Sequence, residues 1–275
     1  MQGKHGLAVA IIALMPFAAM GCASAQRQSV RPQSCAHAHN DYEHPRPLFD
    51  AVEHGFCSIE ADVHLMEGQL LVAHDIEDAR PGRTLEGLYL APLRELVRRN
   101  GGTLYPHGPS VILLIDFKSG AEPTYEALKP LLKRYKPMLT RYRGDRVYRG
   151  PVTVLISGNR PTRTVAGEAV RYVAIDGRAE DLESNPPAHL VPLISENWTR
   201  HFEWQGAGPF PEAEAIRLRA IVMKAHAQGR KVRFWSTADR PEVWDALLGA
   251  GVDLIGADDL GGLERYLRET GAKGS

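Results

Sequence analysis

Residues 37–75 read HAHNDYEHPRPLFDAVEHGFCSIEADVHLMEGQLLVAHD. The stretch opens at the end of one short apolar run, Ser34–His39, and contains a second, Cys57–Val63. Between them Pro47–His54 has helical spacing, with Pro47 suited to a first turn and Gly55 to a C-terminal stop. Strand, helix, strand is a unit that places its two strands parallel, and near-continuous apolar runs fit strands buried on both faces. The pattern recurs outward from here. Further runs lie at Val111–Asp116, Val152–Ser157, Tyr172–Asp176, Val191–Ser195, Val232–Ser236 and Val252–Ala257. Amphipathic stretches lie at Pro92–Asn100, Thr124–Tyr135, Glu212–Gln228, Pro241–Gly249 and Leu260–Thr270. Gln69–Ala73 reads as an extra short strand. The Asp176–His189 connection carries Pro186-Pro187 and little helical pattern, so irregularity is expected around strands five and six. Eight strands alternating with helices predict an α/β fold, a closed (β/α)8 TIM barrel, for which about 250 residues is the usual length.

The chain has 275 residues, and the first 25 read as a targeting segment, leaving residues 26–275 as one domain. Lys4 and His5 precede an uncharged run whose strongly apolar part is Leu7–Met20. That is short for a membrane span and suits the apolar region of a signal peptide. Ala23-Ser24-Ala25 offers a cleavage site before Gln26. Ala19-Met20-Gly21-Cys22 offers the alternative of a lipoprotein, held at a membrane surface through lipidated Cys22. Either reading predicts export. An oxidising compartment permits a disulfide between Cys35 and Cys57, although two buried free thiols is the reading taken. Lys+Arg and Asp+Glu are both 33, so the basic excess of a nucleic-acid binder is missing. The expected state is a monomer.

Six of the 11 histidines fall between His37 and His74. Three polar groups each close a strand candidate: His37-Ala38-His39-Asn40-Asp41, Glu60-Ala61-Asp62 and His74-Asp75. In a barrel, polar residues at strand C-terminal ends converge on one mouth. Glu60 and Asp62 are two apart, so on a strand both point to the same face. Two ionised carboxylates held together are costly without a cation between them. The pair is therefore a metal-site candidate, or a dyad sharing a proton. An all-oxygen donor set favours Ca2+ or Mg2+ over zinc.

These motifs resemble the superfamily of phosphatidylinositol-specific phospholipases C and glycerophosphodiester phosphodiesterases, and within it the group named for altered inheritance of mitochondria protein six. His39-Asn40-Asp41-Tyr42 resembles the first-strand motif, Glu60-Ala61-Asp62 the Glu-x-Asp, and His74-Asp75 the second histidine. Asp116-Phe117-Lys118 resembles the Glu-x-Lys of the third strand, with Asp for Glu. Phe234-Trp235-Ser236 and Gly251-Val252-Asp253-Leu254-Ile255-Gly256-Ala257-Asp258 resemble the ending. Two features of true glycerophosphodiesterases are absent, an Arg after the first His and a Pro-Glu-Asn-Thr. Strands four to six carry no recognisable motif.

The resemblance implies a metal-dependent phosphoric diester hydrolase acting on a small-molecule or lipid phosphodiester. His39 and His74 would be its acid and base, since an unperturbed pKa of about 6.5 lets one be neutral and one charged. Asn40, Glu60, Asp62 and Asp116 would hold the divalent cation. His37, Lys118 and Trp235 would line the substrate pocket. Two rivals stand beside this reading. His37-Ala38-His39 is also the opening His-x-His of zinc amidohydrolases, to which Asp258 would add an acid/base residue. A catalytically silent exported binding protein is the other.

Overall fold

The computed structural model describes residues 30–271. The expected signal peptide, its cleavage site and Cys22 lie outside these residues. Eight parallel strands close on themselves: β1 (Gln33–Ala38), β2 (Phe56–Met66), β3 (Val111–Phe117), β4 (Val152–Gly158), β5 (Val173–Gly177), β6 (Leu193–Asn197), β7 (Lys231–Trp235) and β8 (Leu254–Ala257). Each pairs with the next in chain order, and β8 pairs with β1. The barrel read from the sequence is the fold. Gln69–Val72 is the expected extra strand, antiparallel to the long end of β2. Cys35 and Cys57 are both buried and are not joined in a disulfide.

The differences are local. β6 begins at Leu193 rather than Val191 and β8 at Leu254 rather than Val252, because both runs begin in the connection before the ladder starts. The third crossover helix begins at Ala121, before Thr124, since Pro123 falls in its first turn, where no intrahelical N–H donor is needed. The β5–β6 connection does contain a helix, Ala179–Ser184. Its six residues bury only Leu182, too little to leave a period in the sequence. Asn185 ends it in the left-handed conformation, φ 47°, just before the two prolines. Two further short helices, Thr162–Gly167 and Trp198–His201, also carry too few residues to show periodicity.

A small antiparallel sheet was not anticipated. It consists of Arg141–Arg143, Arg146–Tyr148 and Val170–Arg171. It lies just upstream of β4 and β5, at the N-terminal end of the barrel. Tyr142 is buried there with Leu114, Leu155, Ala174, Leu193 and Leu254 and forms the floor of the barrel interior. Two residues further along their strands, the inward positions turn polar, with Asp116, Ser157, Asp176 and Ser195. The interior is thus apolar below and polar towards the C-terminal mouth, where this fold carries its chemistry.

Candidate active site

The mouth holds a cavity of about 470 Å3, lined among others by His39, Asn40, Glu60, His74, Asp116, Lys118, Trp235 and Asp258. β2 and β3 pair in register with Asp62 beside Asp116, so the two carboxylates meet across adjacent strands, and Glu60 lies one inward position deeper on β2. Oxygens of Glu60, Asp62 and Asp116 lie within 4.8 Å of one another. Lys118 Nζ bridges Asp62 Oδ2 at 2.9 Å and Asp116 Oδ2 at 2.6 Å. Burial opposes its charge, but the two carboxylates raise its pKa and keep it an ammonium. One ammonium does not neutralise the group. Burial and the nearby Glu60 push the Asp62 carboxyl up to about 6. Asp62 Oδ2 also accepts from the Tyr42 hydroxyl at 2.7 Å, whereas Asp62 Oδ1 is buried with no hydrogen-bond partner. An orphaned buried carboxylate oxygen is costly, and a cation among the three carboxylates would relieve it. The donor set fits a hard divalent ion. Asn40 Oδ1 reaches the same cluster, accepting from the Tyr42 hydroxyl at 3.0 Å.

Beneath the mouth Glu60 is engaged twice. Its Oε2 accepts from Arg233 at 2.6 Å and contacts His37 Nε2 at 2.9 Å. Burial works against its charge, yet Arg233 and His37 hold its carboxyl well below the usual range. His37 is fully buried, and burial together with the Arg233 charge lowers its pKa to about 4. A neutral His37 then donates from Nε2 to Glu60 and accepts at Nδ1 from Ser58 Oγ, 2.7 Å away. His37 therefore does not line the substrate pocket as expected. It stays within β1 on the inner side of the barrel, where it orients Glu60, while His39 lies past the end of the strand at Ala38.

The two histidines assigned to proton transfer do reach the cavity. β1 ends at Ala38, and the His39 backbone N–H bonds the Ala257 carbonyl of β8 at 3.2 Å. His39 Nδ1 donates to Asp258 Oδ1 at 2.8 Å, leaving Nε2 for the cavity. Desolvation opposes its proton, but the Asp258 bond and the Glu60 charge outweigh it and raise its pKa. His74 Nδ1 faces Asp62 Oδ2 at 3.1 Å and the Tyr42 hydroxyl at 3.2 Å. His64, two positions beyond Asp62, sends Nε2 to the His74 carbonyl at 3.1 Å and so positions that segment.

Sequence reasoning brought Asn40, Glu60, Asp62, Asp116, His39, His74, Lys118 and Trp235 to one mouth, and the structure places them there. It missed five supporting residues. Tyr42 stood in the quoted motif without a role. Asp258 was weighed only under the rival zinc reading. Arg233 shares strand parity with Trp235, and an arginine in the barrel strand KVRFW demands a buried partner; that signal was available. Asp176 and Arg178, joined at 3.0 Å and bonded to Ser157, form the opposite wall and had no motif to announce them.

Comparison with known proteins agrees with this architecture. The AIM6-like phosphodiesterase domain matches residues 24–176. The chain belongs to that family. Relatives called altered inheritance of mitochondria protein 6 include one from Eremothecium gossypii, 28% identical over 84% of this chain and 68% of its own length. A homologue from Arthroderma benhamiae is 28% identical over 84% of this chain and 82% of its own. In three dimensions the chain resembles a glycerophosphodiester phosphodiesterase from Parabacteroides distasonis, with a TM-score of 0.52 at 16% identity, over 88% of this chain and 100% of that one. At that identity the likeness shows the shared barrel.

Proposed function

We propose that this AIM6-like domain is a divalent-cation-dependent phosphoric diester hydrolase with His39 and His74 as its proton-transfer pair. The observation that carries the reading is the Glu60–Asp62–Asp116 cluster, with an unpartnered Asp62 oxygen, between two cavity-facing histidines. Ca2+ or Mg2+ held by Glu60, Asp62 and Asp116, with Asn40 beside them, would neutralise the phosphoryl oxygens as a Lewis acid. Lys118 and Arg233 add fixed positive charge to the cavity wall. His39, its proton stabilised by Asp258, suits the general acid that protonates the leaving oxygen. His74, held through Nδ1 by Asp62, presents Nε2 as the general base. With a substrate hydroxyl beside the phosphate, the same pair could direct internal attack and release a cyclic phosphate. Trp235 offers a flat apolar wall for the remainder of the substrate.

The zinc amidohydrolase reading loses its support here. It needs His37 in the cavity, and His37 is bound to Ser58 and Glu60 below it. Among the described residues His39 and His74 are the histidines lining the cavity.

A screen of phosphodiesters with chelated and metal-restored protein tests the proposal. Activity returning with Ca2+ or Mg2+ supports it, and no cleavage with any metal overturns it. Glu60→Gln or Asp62→Asn lowers divalent-ion affinity by about tenfold or more in a calorimetric titration, because even groups that only orient metal ligands contribute on that order. Unchanged affinity in both places any metal elsewhere. Asp258→Asn leaves an acceptor for Nδ1 but removes the negative charge that helps raise the His39 pKa. The alkaline limb of the pH–rate profile, where the acid loses its proton, then moves to lower pH. An unmoved limb would separate Asp258 from the acid.

A further inference from the structure

The small sheet at the floor of the barrel has two unlike faces. Arg141 pairs with Tyr148, Tyr142 with Val147, Arg143 with Arg146, and on the other side Tyr142 with Arg171 and Arg143 with Val170. Directly paired residues share a face. Tyr142 and Arg171 are therefore together on the inner face, and both are buried, with Arg171 over the Tyr142 ring at 4.1 Å. The opposite face carries Arg141, Arg143, Arg146, Tyr148 and Val170, all exposed except where Arg141 stacks on the Tyr148 ring at 4.5 Å. Tyr148 and Val170 are 42% and 44% exposed. No carboxylate pairs with Arg141, Arg143, Arg146 or Arg149 among the described residues. Arg143 directly opposite Arg146 is a like-charge pair, which destabilises a hairpin. Asp145 in the turn between them offsets part of that repulsion, and an external anion would relieve the rest.

The same end of the barrel receives the start of the domain. β1 begins at Gln33, and Pro32 lies against the loop before β3, where a Cβ on Gly108 would stand 3.4 Å from Pro32 Cγ. Ser110 of that loop donates to the Gly150 carbonyl at the base of the basic hairpin at 2.7 Å. Chain entry, loop and hairpin are thus contiguous.

We infer that this N-terminal face of the barrel docks on an anionic phospholipid bilayer. Arginines meet lipid phosphates there, while Tyr148 and Val170 sit at headgroup level, where aromatic and aliphatic groups are favoured. The attraction is local, because the chain as a whole is neutral. A polyanion would match the charge but has no counterpart for the apolar residues between the arginines. All eight strands run from this face to the cavity, so docking turns the mouth towards water. Resting on the phosphodiesterase reading, this makes the substrate a water-soluble diester, not a lipid of the docking bilayer.

The full chain is tested by co-sedimentation with vesicles of phosphatidylcholine alone or mixed with phosphatidylglycerol. The anionic lipid increases binding, and the increment falls as salt rises. Arg143→Glu with Arg146→Glu reduces the increment about tenfold or more, on the scale of one strong contact per basic residue. Tyr148→Ser reduces it with charge unchanged. Arg219→Glu with Arg265→Glu, the same charge change on two exposed helix positions, leaves it in place. The inference is overturned by no anionic-lipid increment in the unmodified chain, or by an equal loss in the control pair. A dimer in light scattering that the hairpin variants abolish also overturns it, since the face would then bind a second copy. None of these readouts depends on phosphodiesterase activity.

Discussion

His39→Ala and His74→Ala each lower turnover of a phosphodiester by about 100-fold or more, the usual contribution of general acid–base catalysis. Folding is little changed, because neither side chain belongs to the core: they are 30% and 52% exposed. Losing the hydrogen bond each makes costs about 1 kcal/mol. The double variant is hardly worse than either single one, since both residues serve one proton-transfer cycle and such losses do not add. His37→Ala behaves in the opposite way. It leaves Ser58 and Glu60 without their buried partner, so it costs stability first and turnover less. Turnover close to normal in either folded cavity variant removes the assignment. Steady-state kinetics beside a denaturant melt distinguish the two patterns.

Arg233→Leu is expected to cost about 3–5 kcal/mol of stability at neutral pH, the range for breaking a buried pair by removing one partner. Glu60 and Arg233 are both buried, 2.6 Å apart, and the arginine is the main influence holding the Glu60 carboxyl ionised. Without it the carboxylate is left in the barrel with only neutral His37. The penalty depends on pH with a definite sign. In the unmodified protein the folded Glu60 pKa is depressed, so its stabilising contribution is present above the ordinary carboxylate pKa of about 4.3 and is lost as pH falls below it. The variant protonates Glu60 more readily and sheds the buried charge. The stability difference between the two therefore narrows as pH falls from neutral, starting where the variant's Glu60 takes up its proton. Guanidinium melts of chelator-treated protein at neutral and acidic pH measure it. A difference that stays constant or widens would show that Arg233 acts through packing and not through charge.

The strand ends were legible because a parallel barrel needs apolar runs of fixed length, and polar residues closing such runs have one place to go. His39, Glu60, Asp62 and His74 were found in that way. Asp116, Lys118 and Trp235 came from the resemblance of short motifs. What stayed hidden has a common cause: pairing between strands distant in sequence. Arg233 is 173 residues from Glu60, and Asp258 is 219 from His39. Neither pair leaves a local spacing. His37 illustrates the limit more sharply. Its chemistry matches that of His39, and the period of two along a strand even puts both on one face. Yet β1 ends at Ala38, so His39 leaves the ladder for the rim while His37 stays inside at 0% exposure.

The sequence by itself determined the barrel, the order of its elements and the identity of the carboxylates and histidines at its mouth, because hydrophobic periodicity and turn residues act over a few positions. The tertiary structure alone decided which histidine is buried and neutral, which carboxylate holds the arginine, and which face of the Arg-rich hairpin looks outward. Those properties depend on dielectric and on partners brought together by closure of the sheet. Burial and charge pairing move a proton affinity by whole units, as for His37 at about 4 and Asp62 at about 6. No residue type carries that information before the chain folds.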